Sequence, residues 1–479
     1  MRRTHRVYDP MVKYDAIIIG SGQAANPLAI KLAAAGWKTA LIEKRFIGGT
    51  CINVGCTPTK TLIASGRVAY LVRRSADFGI HTTGFSVNIE EVIRRKNAHV
   101  LTARESSAKR LLETHHLDVI FGNAVFTAPK AITVTKEDGS IEELTAEKIF
   151  LNTGTRPVIP SIPGLAGVRY LTSDTILDLM VLPSHLVIIG GSYIALEFGQ
   201  LYRRLGSEVT IIENNARFLS KEDEDIAATI KSFLEEDGIR IHTGAAVEKI
   251  TKEADGIGLH LSAGPLSAPT GTSTASTSVI TASHVLVATG RVPDTAALNA
   301  GATGITLDRH GFVVVNDRLE TSVDGIYALG DVKGGPQFTH ISYNDHLIVY
   351  RNLIEKADCS IAGRPPVYCL FTDPELGRVG LTETEARAKG LNIKVATLPV
   401  ANIARAWEND ETRGMLKAIV NADDRTIIGA AMLSSAGGEL MSILQMAMMG
   451  RIQYNVLRDA VFAHPTFAES LNNLFSRLQ

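Results

Sequence analysis

Short apolar runs that lead into glycine-rich loops are the clearest pattern along the chain. The first run is Ala16-Ile17-Ile18-Ile19, which is continuous and therefore predicts a buried strand of a parallel sheet. The loop Gly20-Ser21-Gly22-Gln23-Ala24-Ala25 follows, then a helix, then a second strand, Thr39-Ala40-Leu41-Ile42. Glycines at these positions allow a tight turn and a close backbone approach to a pyrophosphate at the helix N-terminus, so the unit predicts a dinucleotide site.

Two residues of this unit refine the prediction. Glu43 lies 21 residues past Gly22, where a carboxylate would bond a ribose hydroxyl. Pro27 is unusual in a helix and is tolerated only within about the first turn, where few N–H groups have partners. The helix must therefore begin shortly before Pro27.

A second copy of the pattern begins at Leu186-Val187-Ile188-Ile189. The loop that follows is Gly190-Gly191-Ser192-Tyr193-Ile194-Ala195, with serine in place of the middle glycine. The next strand ends in Glu213, which lies 21 residues past Ser192, the same spacing as in the first copy. Two such units predict two dinucleotides or one repeated domain. Glu213 favours a free 2′-hydroxyl and repels a 2′-phosphate, so NADH is expected over NADPH. Alternatively Glu213 merely ends a surface strand, and Arg217 could still reach a phosphate.

Composition describes a soluble globular enzyme of 479 residues, 45% hydrophobic and 21% charged. The net charge of −1 predicts no nucleic-acid or anionic-membrane partner, and no apolar stretch is long enough to span a bilayer. The four cysteines do not make a secreted disulfide scaffold and favour a cytoplasmic setting. The first twelve residues, basic and without an apolar signal core, predict a short disordered arm.

Two closely spaced cysteines add candidate redox chemistry. Cys51 and Cys56 lie in the segment from Gly48 to Lys60, directly behind the first glycine loop. A zinc site would need two more Cys or His ligands at short spacing, and Cys359 and Cys369 are some 300 residues away. The pair therefore predicts a redox-active dithiol beside a bound cofactor, ahead of a metal clip or an incidental pairing.

These motifs resemble those of the class I pyridine nucleotide–disulfide oxidoreductases, the family of lipoamide dehydrogenase, glutathione reductase and mercuric reductase. The signature G-G-T-C-x-N-x-G-C-x-P-x-K runs from Gly48 to Lys60. Residues 321–331, ending in Asp331, are similar to the second FAD motif of the family. Further similarities are Ala288-Thr289-Gly290 to the A-T-G connector, Asn152-Thr153-Gly154 to its partner, and 464–469 to the H-P-T-x-x-E interface motif.

The resemblance implies an α/β fold with two Rossmann-like dinucleotide-binding domains plus a C-terminal α+β dimerisation domain. The implied FAD-binding domain comprises residues 1–155 and 286–353, the NAD(P)H-binding domain 156–285, and the dimerisation domain 354–479. The stretch Leu261–Ala282, rich in Ser, Thr and Gly, predicts a long hairpin excursion on the nicotinamide domain.

The resemblance also implies roles in catalysis. With FAD and NADH as cofactors (NADPH possible), Cys56 would lie against the flavin and Cys51 would face the substrate. A helix starting near Cys56 would favour its thiolate through the N-terminal dipole. Lys60 would pair with Glu197 near the flavin, and Tyr193 would be an aromatic gate over it, with a plain core tyrosine as the alternative.

His464 and Glu469 match the acid–base pair that reaches the cysteines of the other subunit, which implies an active homodimer. For His340, flavin contact and packing are equally favoured. The cofactor contacts implied by the resemblance are Gly20, Gly22, Ala25, Glu43, Lys44, Thr50, Lys60, Ala124, Thr153, Gly154, Asp331, Thr339, Gly190, Tyr193, Ile194, Glu213, Val247 and Gly290.

Within the family, the sequence is most similar to the reactive-chlorine-resistance flavoproteins, NADH-dependent copper(II) reductases related to mercuric reductase. The stretches 334–342, 409–414 and 469–476 carry this similarity. The chain ends without the vicinal cysteines of mercuric reductases, and His464 is a residue that those enzymes commonly lack.

Three functions follow as alternatives. The leading one is reduction of copper(II) or mercury(II) with Cys51 and Cys56 as the metal ligands, because thiolates suit soft metals. The second is lipoamide-type disulfide reduction, supported by His464 and Glu469. The third is a flavin-bearing redox sensor with negligible turnover.

Overall fold

The computed structural model of the chain describes residues 12–262 and 278–478. Almost all of the predicted N-terminal arm and the middle of the predicted hairpin lie outside the described residues. No helix in the described ranges combines the length and the apolar character needed to cross a membrane.

Strands occur throughout the described chain. From the N-terminus they are β1 (Val12–Ile19), β2 (Thr39–Glu43), β3 (Leu117–Phe121), β4 (Asn123–Ala128), β5 (Ala131–Thr135), β6 (Ile141–Leu151), β7 (Thr155–Pro157), β8 (Tyr170–Thr172), β9 (His185–Ile189), β10 (Glu208–Glu213), β11 (Ile239–Thr243), β12 (Val247–Glu253), β13 (Gly256–Leu261), β14 (Ser278–Ala282), β15 (His284–Val287), β16 (Arg291–Pro293), β17 (Ile326–Ala328), β18 (Val367–Leu370), β19 (Glu375–Gly380), β20 (Ile393–Pro399), β21 (Met415–Asn421) and β22 (Ile427–Ser434).

The helices connect and cover these strands. They are α1 (Ala25–Ala34), α2 (Gly49–Asn53), α3 (Cys56–Arg73), α4 (Ile89–Leu112), α5 (Tyr193–Leu205), α6 (Glu224–Glu236), α7 (Thr339–Leu353), α8 (Glu383–Ala388), α9 (Ala404–Glu408), α10 (Gly437–Met449), α11 (Tyr454–Arg458) and α12 (Ser470–Phe475). Short 3₁₀ helices span Ser75–Phe78, Leu165–Gly167, Ile176–Asp178, Ala296–Leu298, Ala300–Ala302, Gly330–Lys333 and Val400–Asn402. Pro27 is the third residue of α1, within the first turn as expected.

The described residues cluster into two compact units. The first unit contains the described residues up to Thr61, with Arg94–Val158 and Gly290–Arg364. The second contains Leu62–Ile93, the described residues of 159–289, and those from Pro365 onward. The three domain boundaries predicted from the sequence stay a prediction.

The main sheet of the first unit has the order β3-β2-β1-β6-β5-β4, with β17 also paired to β6. Strands β3, β2, β1 and β6 are parallel neighbours, whereas β4, β5 and β6 pair antiparallel. Ile17 and Ile18 of β1 have no exposed surface and belong to different apolar clusters. The predicted burial of this strand is thereby confirmed.

The second unit repeats this arrangement. Its parallel sheet has the order β11-β10-β9-β15-β8, so the succession of the first three strands is the same as in β3-β2-β1. A separate antiparallel sheet has the order β12-β13-β14. Strands β13 and β14 form the predicted hairpin, and the residues that join them lie outside the described ranges. The repeated dinucleotide-binding pattern of the sequence is confirmed as a repeated fold.

The C-terminal part of the second unit is built on an antiparallel sheet, β18-β19-β22-β21-β20. Its apolar core joins strand residues such as Leu416 and Met432 to Leu444 of α10 and Phe475 of α12. The architecture is mixed α/β with two Rossmann-type sheets and an α+β C-terminal part, which confirms the predicted fold class.

Candidate active site

The first glycine loop is held closely against the end of β6. Gly20 has a φ of +93°, and a Cβ added there would lie 2.5 Å from the Asn152 carbonyl oxygen, so only glycine fits. The carboxylate of Glu43 binds the loop, because its Oε2 accepts hydrogen bonds from the Ser21 amide (3.0 Å) and hydroxyl (2.7 Å). Its Oε1 accepts from the amide of Arg45 at 2.8 Å.

The second glycine loop repeats these hydrogen bonds. Gly190 has a φ of +106°, and a Cβ there would collide with the carbonyl oxygen of Ala288. Oε2 of Glu213 accepts from the Gly191 amide at 2.7 Å, and Oε1 accepts from the Asn215 amide at 2.7 Å. Each acid therefore fixes its own loop, a role that the spacing did not reveal. The ribose contacts of Glu43 and Glu213 stay predictions.

The serine in the second loop has a structural explanation. In the first loop, a Cβ on Gly22 would lie 2.5 Å from Oδ1 of Asn152. The Asn152 amide is fixed, since Oδ1 accepts from the Ala25 amide at 3.2 Å and Nδ2 donates to the Leu329 carbonyl at 2.7 Å. In the second copy Ala288 stands at the position of Asn152, so no side-chain amide restricts the position of Ser192. The serine is therefore compatible with the second loop, whereas the first loop requires glycine at position 22.

Several groups of the first unit fit a bound flavin dinucleotide. The buried hydroxyl of Thr153 has no hydrogen-bond partner among the described residues, and Gly49 lies so close to Gly22 that a Cβ would be 2.7 Å from the Gly22 Cα. Burial raises the pKa of Asp331 and outweighs the opposing charge of Arg291. An unpartnered buried donor, close-packed glycines and a buried acid are what a diphosphate and a polyhydroxyl chain require.

The cysteine segment is positioned by two helices. Cys51 lies in α2 and Cys56 is the first residue of α3, as the sequence predicted for the helix start. Asn53 fixes the turn, since its Nδ2 donates to the carbonyls of Ile47 (3.0 Å) and Gly49 (2.9 Å). Nε of Arg104 donates to Oδ1 of Asn53 at 2.8 Å, so the turn is also tied to α4.

The two cysteines carry thiols that are not joined by a disulfide and that hydrogen-bond to each other. Hydrogen bonding to Cys56 raises the pKa of Cys51 well above the ordinary range of a thiol, and burial and the charge of Cys56 raise it further. The hydroxyl of Thr339, the first residue of α7, lies 3.3 Å from the Cys56 Sγ.

The second unit contains a polar cluster that the sequence did not predict. Tyr193, the first residue of α5, donates its hydroxyl to Oε1 of Glu222 at 2.6 Å. The hydroxyl of Tyr368 donates to the same oxygen at 2.5 Å. The gating role of Tyr193 and the alternative of a core tyrosine both stay predictions. Arg217 donates to the Glu222 carbonyl at 2.6 Å.

The predicted acid–base pair is formed within the chain. Nδ1 of His464 lies 2.9 Å from the nearer carboxylate oxygen of Glu469. The imidazole is exposed, with 67% of its side-chain surface accessible. A carboxylate at this distance orients the imidazole ring. Whether His464 serves a partner subunit stays a prediction.

The remaining predicted residues divide between the units. Lys44 forms an ion pair with Asp294 at 2.5 Å, and Glu197 accepts from the Phe371 amide at 3.0 Å. The pairing of Lys60 with Glu197 and the cofactor contacts stay predictions. His340 is the second residue of α7, with its ring stacked on Phe338 at 5.5 Å. The first unit also contains Ala25, Thr50, Lys60, Ala124, Gly154 and Gly290, and the second Ile194 and Val247.

No group of three or more His, Cys, Asp or Glu side chains within residues 12–262 and 278–478 is arranged to hold a metal ion. Cys359 and Cys369 are each partly buried.

Comparison with known proteins places these features in a family. Residues 14–345 match the family model described as pyridine nucleotide-disulphide oxidoreductase. Residues 367–475 match the dimerisation domain of the same family.

Individual proteins are similar over nearly the whole chain. A probable pyridine nucleotide-disulfide oxidoreductase, RclA, of Escherichia coli (strain K12) is 40% identical over 97% of this chain and 99% of its own. A mercuric reductase of Staphylococcus aureus is 34% identical over 96% of this chain and 81% of its own. A solved structure, the Cu(II) complex of the HOCl-induced flavoprotein disulfide reductase RclA from E. coli, matches with a TM-score of 0.87 and 39% identity, over 97% and 99% of the two chains.

Proposed function

Since the chain belongs to the pyridine nucleotide-disulphide oxidoreductase family, with FAD and NAD(P)H as the family's cofactors, we propose that it reduces a soft metal ion with NADH. The metal would be copper(II) or mercury(II), bound by Cys51 and Cys56. The observation that carries the proposal is the hydrogen-bonded pair of thiols that Cys51 of α2 and Cys56 of α3 form. The similarity to proteins named as a copper(II) complex and as mercuric reductase supports the choice of metal.

The proposed reaction needs an electron carrier and a pair of metal ligands. FAD, when bound, would take a hydride from NADH and supply the electron pair that opens a Cys51–Cys56 disulfide to the two thiols or, once the two sulfurs hold the metal, reduces that metal. Cys51 and Cys56 bind the metal, which displaces the proton that Cys51 otherwise retains, and thiolates are suitable ligands for soft ions. One hydride supplies two electrons, enough to reduce two copper(II) ions to copper(I) or one mercury(II) ion to the metal.

Thr339 would assist at the sulfur atoms. Its hydroxyl lies within hydrogen-bonding distance of Cys56 and can donate to a thiolate there. The residue is also the first of α7, whose N-terminal amides favour negative charge. Both effects would favour a thiolate at Cys56, and the Thr339 hydroxyl also lowers the pKa of Cys51, against the larger raising effects there.

NADH would be the preferred reductant because Glu213 places a carboxylate beside the second glycine loop. A 2′-phosphate there would meet a negative charge. Arg217, the nearby cation, is bound to the carbonyl of Glu222, which favours the same preference.

The active form would be a homodimer. Residues 367–475 match a dimerisation domain, and this segment exposes large apolar side chains: Met446 is 65% exposed, Met449 66% and Val461 100%. The match to the dimerisation domain supports the homodimer, and these side chains are candidates for its interface.

The testing experiment is anaerobic reduction of the purified flavoprotein with NADH, followed by addition of copper(II), mercury(II) or oxidised lipoamide. We expect a long-wavelength charge-transfer band from the Cys56 thiolate, its quenching by metal, and continued NADH consumption with metal present. One stoichiometric reduction that then stops would indicate a redox sensor. The complete absence of the band would contradict the proposed position of Cys56.

Disulfide reduction is the second candidate, and the His464–Glu469 hydrogen bond favours it. Replacing His464 with alanine separates the two functions. Disulfide turnover should fall by about a hundredfold or more, the usual contribution of a general acid–base group, whereas metal reduction should be retained within about twofold of the unsubstituted rate. Equal loss of both activities would contradict this distinction.

A further inference from the structure

Tyr193 shares its hydrogen-bond acceptor with a second tyrosine. Its hydroxyl and that of Tyr368 both donate to Oε1 of Glu222, at 2.6 and 2.5 Å, and the two rings lie 5.4 Å apart. Tyr193 follows the second glycine loop directly, whereas Tyr368 lies in β18 and Glu222 precedes α6. Three separate segments of the second unit therefore meet at one carboxylate oxygen.

The second oxygen of Glu222 faces a buried cation. Nε of Arg378, in β19, lies 3.8 Å from Oε2, and Arg378 and Tyr368 are directly opposed on paired strands. Arg378 is 1% exposed and Glu222 2% exposed. Burial raises the pKa of both tyrosines, and the charge of Glu222 raises it further. Both hydroxyls thus stay protonated at neutral pH and act as donors.

Sharing one acceptor makes the Tyr193 contact reversible. A buried carboxylate that lost its only donor would be left unsatisfied, which is costly. When the Tyr193 hydroxyl leaves, Oε1 keeps the Tyr368 hydroxyl. Oε2 has no hydrogen-bond partner among the described residues, but its charge still faces the Arg378 guanidinium at 3.8 Å. The release of Tyr193 therefore costs one hydrogen bond and does not expose an uncompensated charge.

The family resemblance already implies that Tyr193 is displaced when the nicotinamide binds. We propose that Glu222, Tyr368 and Arg378 form a latch that holds Tyr193 in its resting position. The inference rests on the proposed function, in which NADH is bound at the second glycine loop, the loop that contains Tyr193. Glu222 and Tyr368 are then positioning residues for the reductive step. They set how tightly NADH binds, although neither contacts it.

The latch predicts that two similar substitutions shift the Kd of NADH in opposite directions. Tyr193→Phe removes the tether, so the Kd of NADH should fall by about threefold to tenfold, the worth of one hydrogen bond to a charged group after partial compensation by water. Glu222→Gln should also lower the Kd of NADH. Tyr368→Phe leaves Tyr193 as the only hydroxyl donor to Oε1, so the Kd should rise by a similar factor.

The measurement is anaerobic stopped-flow reduction of the FAD-loaded protein at varied NADH, without metal. Tyr202→Phe is the matched control, because Tyr202 is also in α5 and its hydroxyl donates to the Ile176 carbonyl at 3.1 Å. Its Kd for NADH should be unchanged. The double variant Tyr193→Phe/Tyr368→Phe should match Tyr193→Phe alone, since no tether remains for Tyr368 to modulate.

A shift in the same direction for both single variants, additive effects in the double variant, or an effect as large in Tyr202→Phe would overturn the latch. Those results would leave the proposed function standing, because the flavin would still be reduced. If NADH did not reduce the flavin of the unsubstituted protein, the proposed function and the latch would fail together. Melting temperatures of all variants identify any that fold poorly.

Discussion

At the scale of single residues, the acids that end β2 and β10 hold the glycine loops and are also expected to bind the ribose of a cofactor. Glu43 and Glu213 each hold their glycine loop by a hydrogen bond from a loop amide, at 3.0 and 2.7 Å. The spacing of 21 residues predicted the acids but associated them with a ribose alone. The hydrogen bonds explain why each acid is needed for its loop, in addition to the ribose contact that the spacing predicts.

Glu213→Gln should weaken the discrimination against NADPH. The amide still reaches the loop but no longer repels a 2′-phosphate, so the ratio of kcat/KM for NADPH to that for NADH should rise by about tenfold, equivalent to about 1.4 kcal/mol. Steady-state kinetics with both nucleotides measure this ratio. Glu43→Gln is the matched control in the first loop, where the ratio should not change. An unchanged ratio in Glu213→Gln would refute the role of this acid in selecting NADH.

At the scale of secondary-structure elements, the two ends of α3 have different surroundings. The helix begins at Cys56, and Arg67 in its C-terminal half belongs to a cluster of paired arginine and aspartate side chains in the second unit. Asp373 accepts from Arg67 and from Arg204, the latter at 2.5 Å. Arg204 also stacks on Tyr70 of α3, with 4.0 Å from its Cζ to the ring centroid. This end of the helix is therefore firmly packed.

Asp373→Asn should destabilise the protein strongly at neutral pH. Arg204 is 4% exposed, and removing one partner of a buried ion pair typically costs about 3–5 kcal/mol. The control is Asp410→Asn, since Asp410 pairs with Arg74 at an exposed site where the loss is about 1 kcal/mol or less. Urea unfolding midpoints measure both. Equal shifts for the two variants would contradict a special role for the buried pair.

The Asp373 carboxylate also predicts how the stability of the protein depends on pH in the acid range. Burial would raise the pKa of Asp373, but the charges of Arg204 and Arg67 outweigh it and the pKa is lowered. A lowered pKa in the folded state contributes stability that is complete above the unfolded value of about 4 and is lost as the pH falls through the folded value. The difference between the unsubstituted protein and Asp373→Asn should thus be constant near neutrality and shrink below about pH 4.

At the scale of the whole molecule, the sequence predicted structure within short segments better than contacts between residues far apart in the chain. Both Rossmann-type sheets and the start of α3 follow from apolar runs, glycine spacing and the cysteine signature. The cluster at Glu222 could not be predicted, because Tyr368 lies 146 residues from Glu222 and has no motif around it. Only the fold brings β18 and the start of α5 to one carboxylate.

Assembly can be tested through Val461, which is fully exposed within the dimerisation segment. Val461→Asp should weaken the dimer by about thirtyfold or more, because a charge would be buried without a partner in an apolar interface. Sedimentation analysis measures the dissociation constant. Val279→Asp, at a 47% exposed position outside that segment, is the control and should leave it unchanged. A dimer undisturbed by Val461→Asp would place the interface elsewhere.

The pairing of Gly22 with Asn152, and of Ser192 with Ala288, limits how this protein can evolve. A serine at position 22 would meet the Asn152 amide at about the distance at which a Cβ already clashes, 2.5 Å. The same serine would be tolerated once position 152 had become alanine. The order of substitutions therefore matters: the first loop can drift towards the sequence of the second only by a path that changes residue 152 before residue 22.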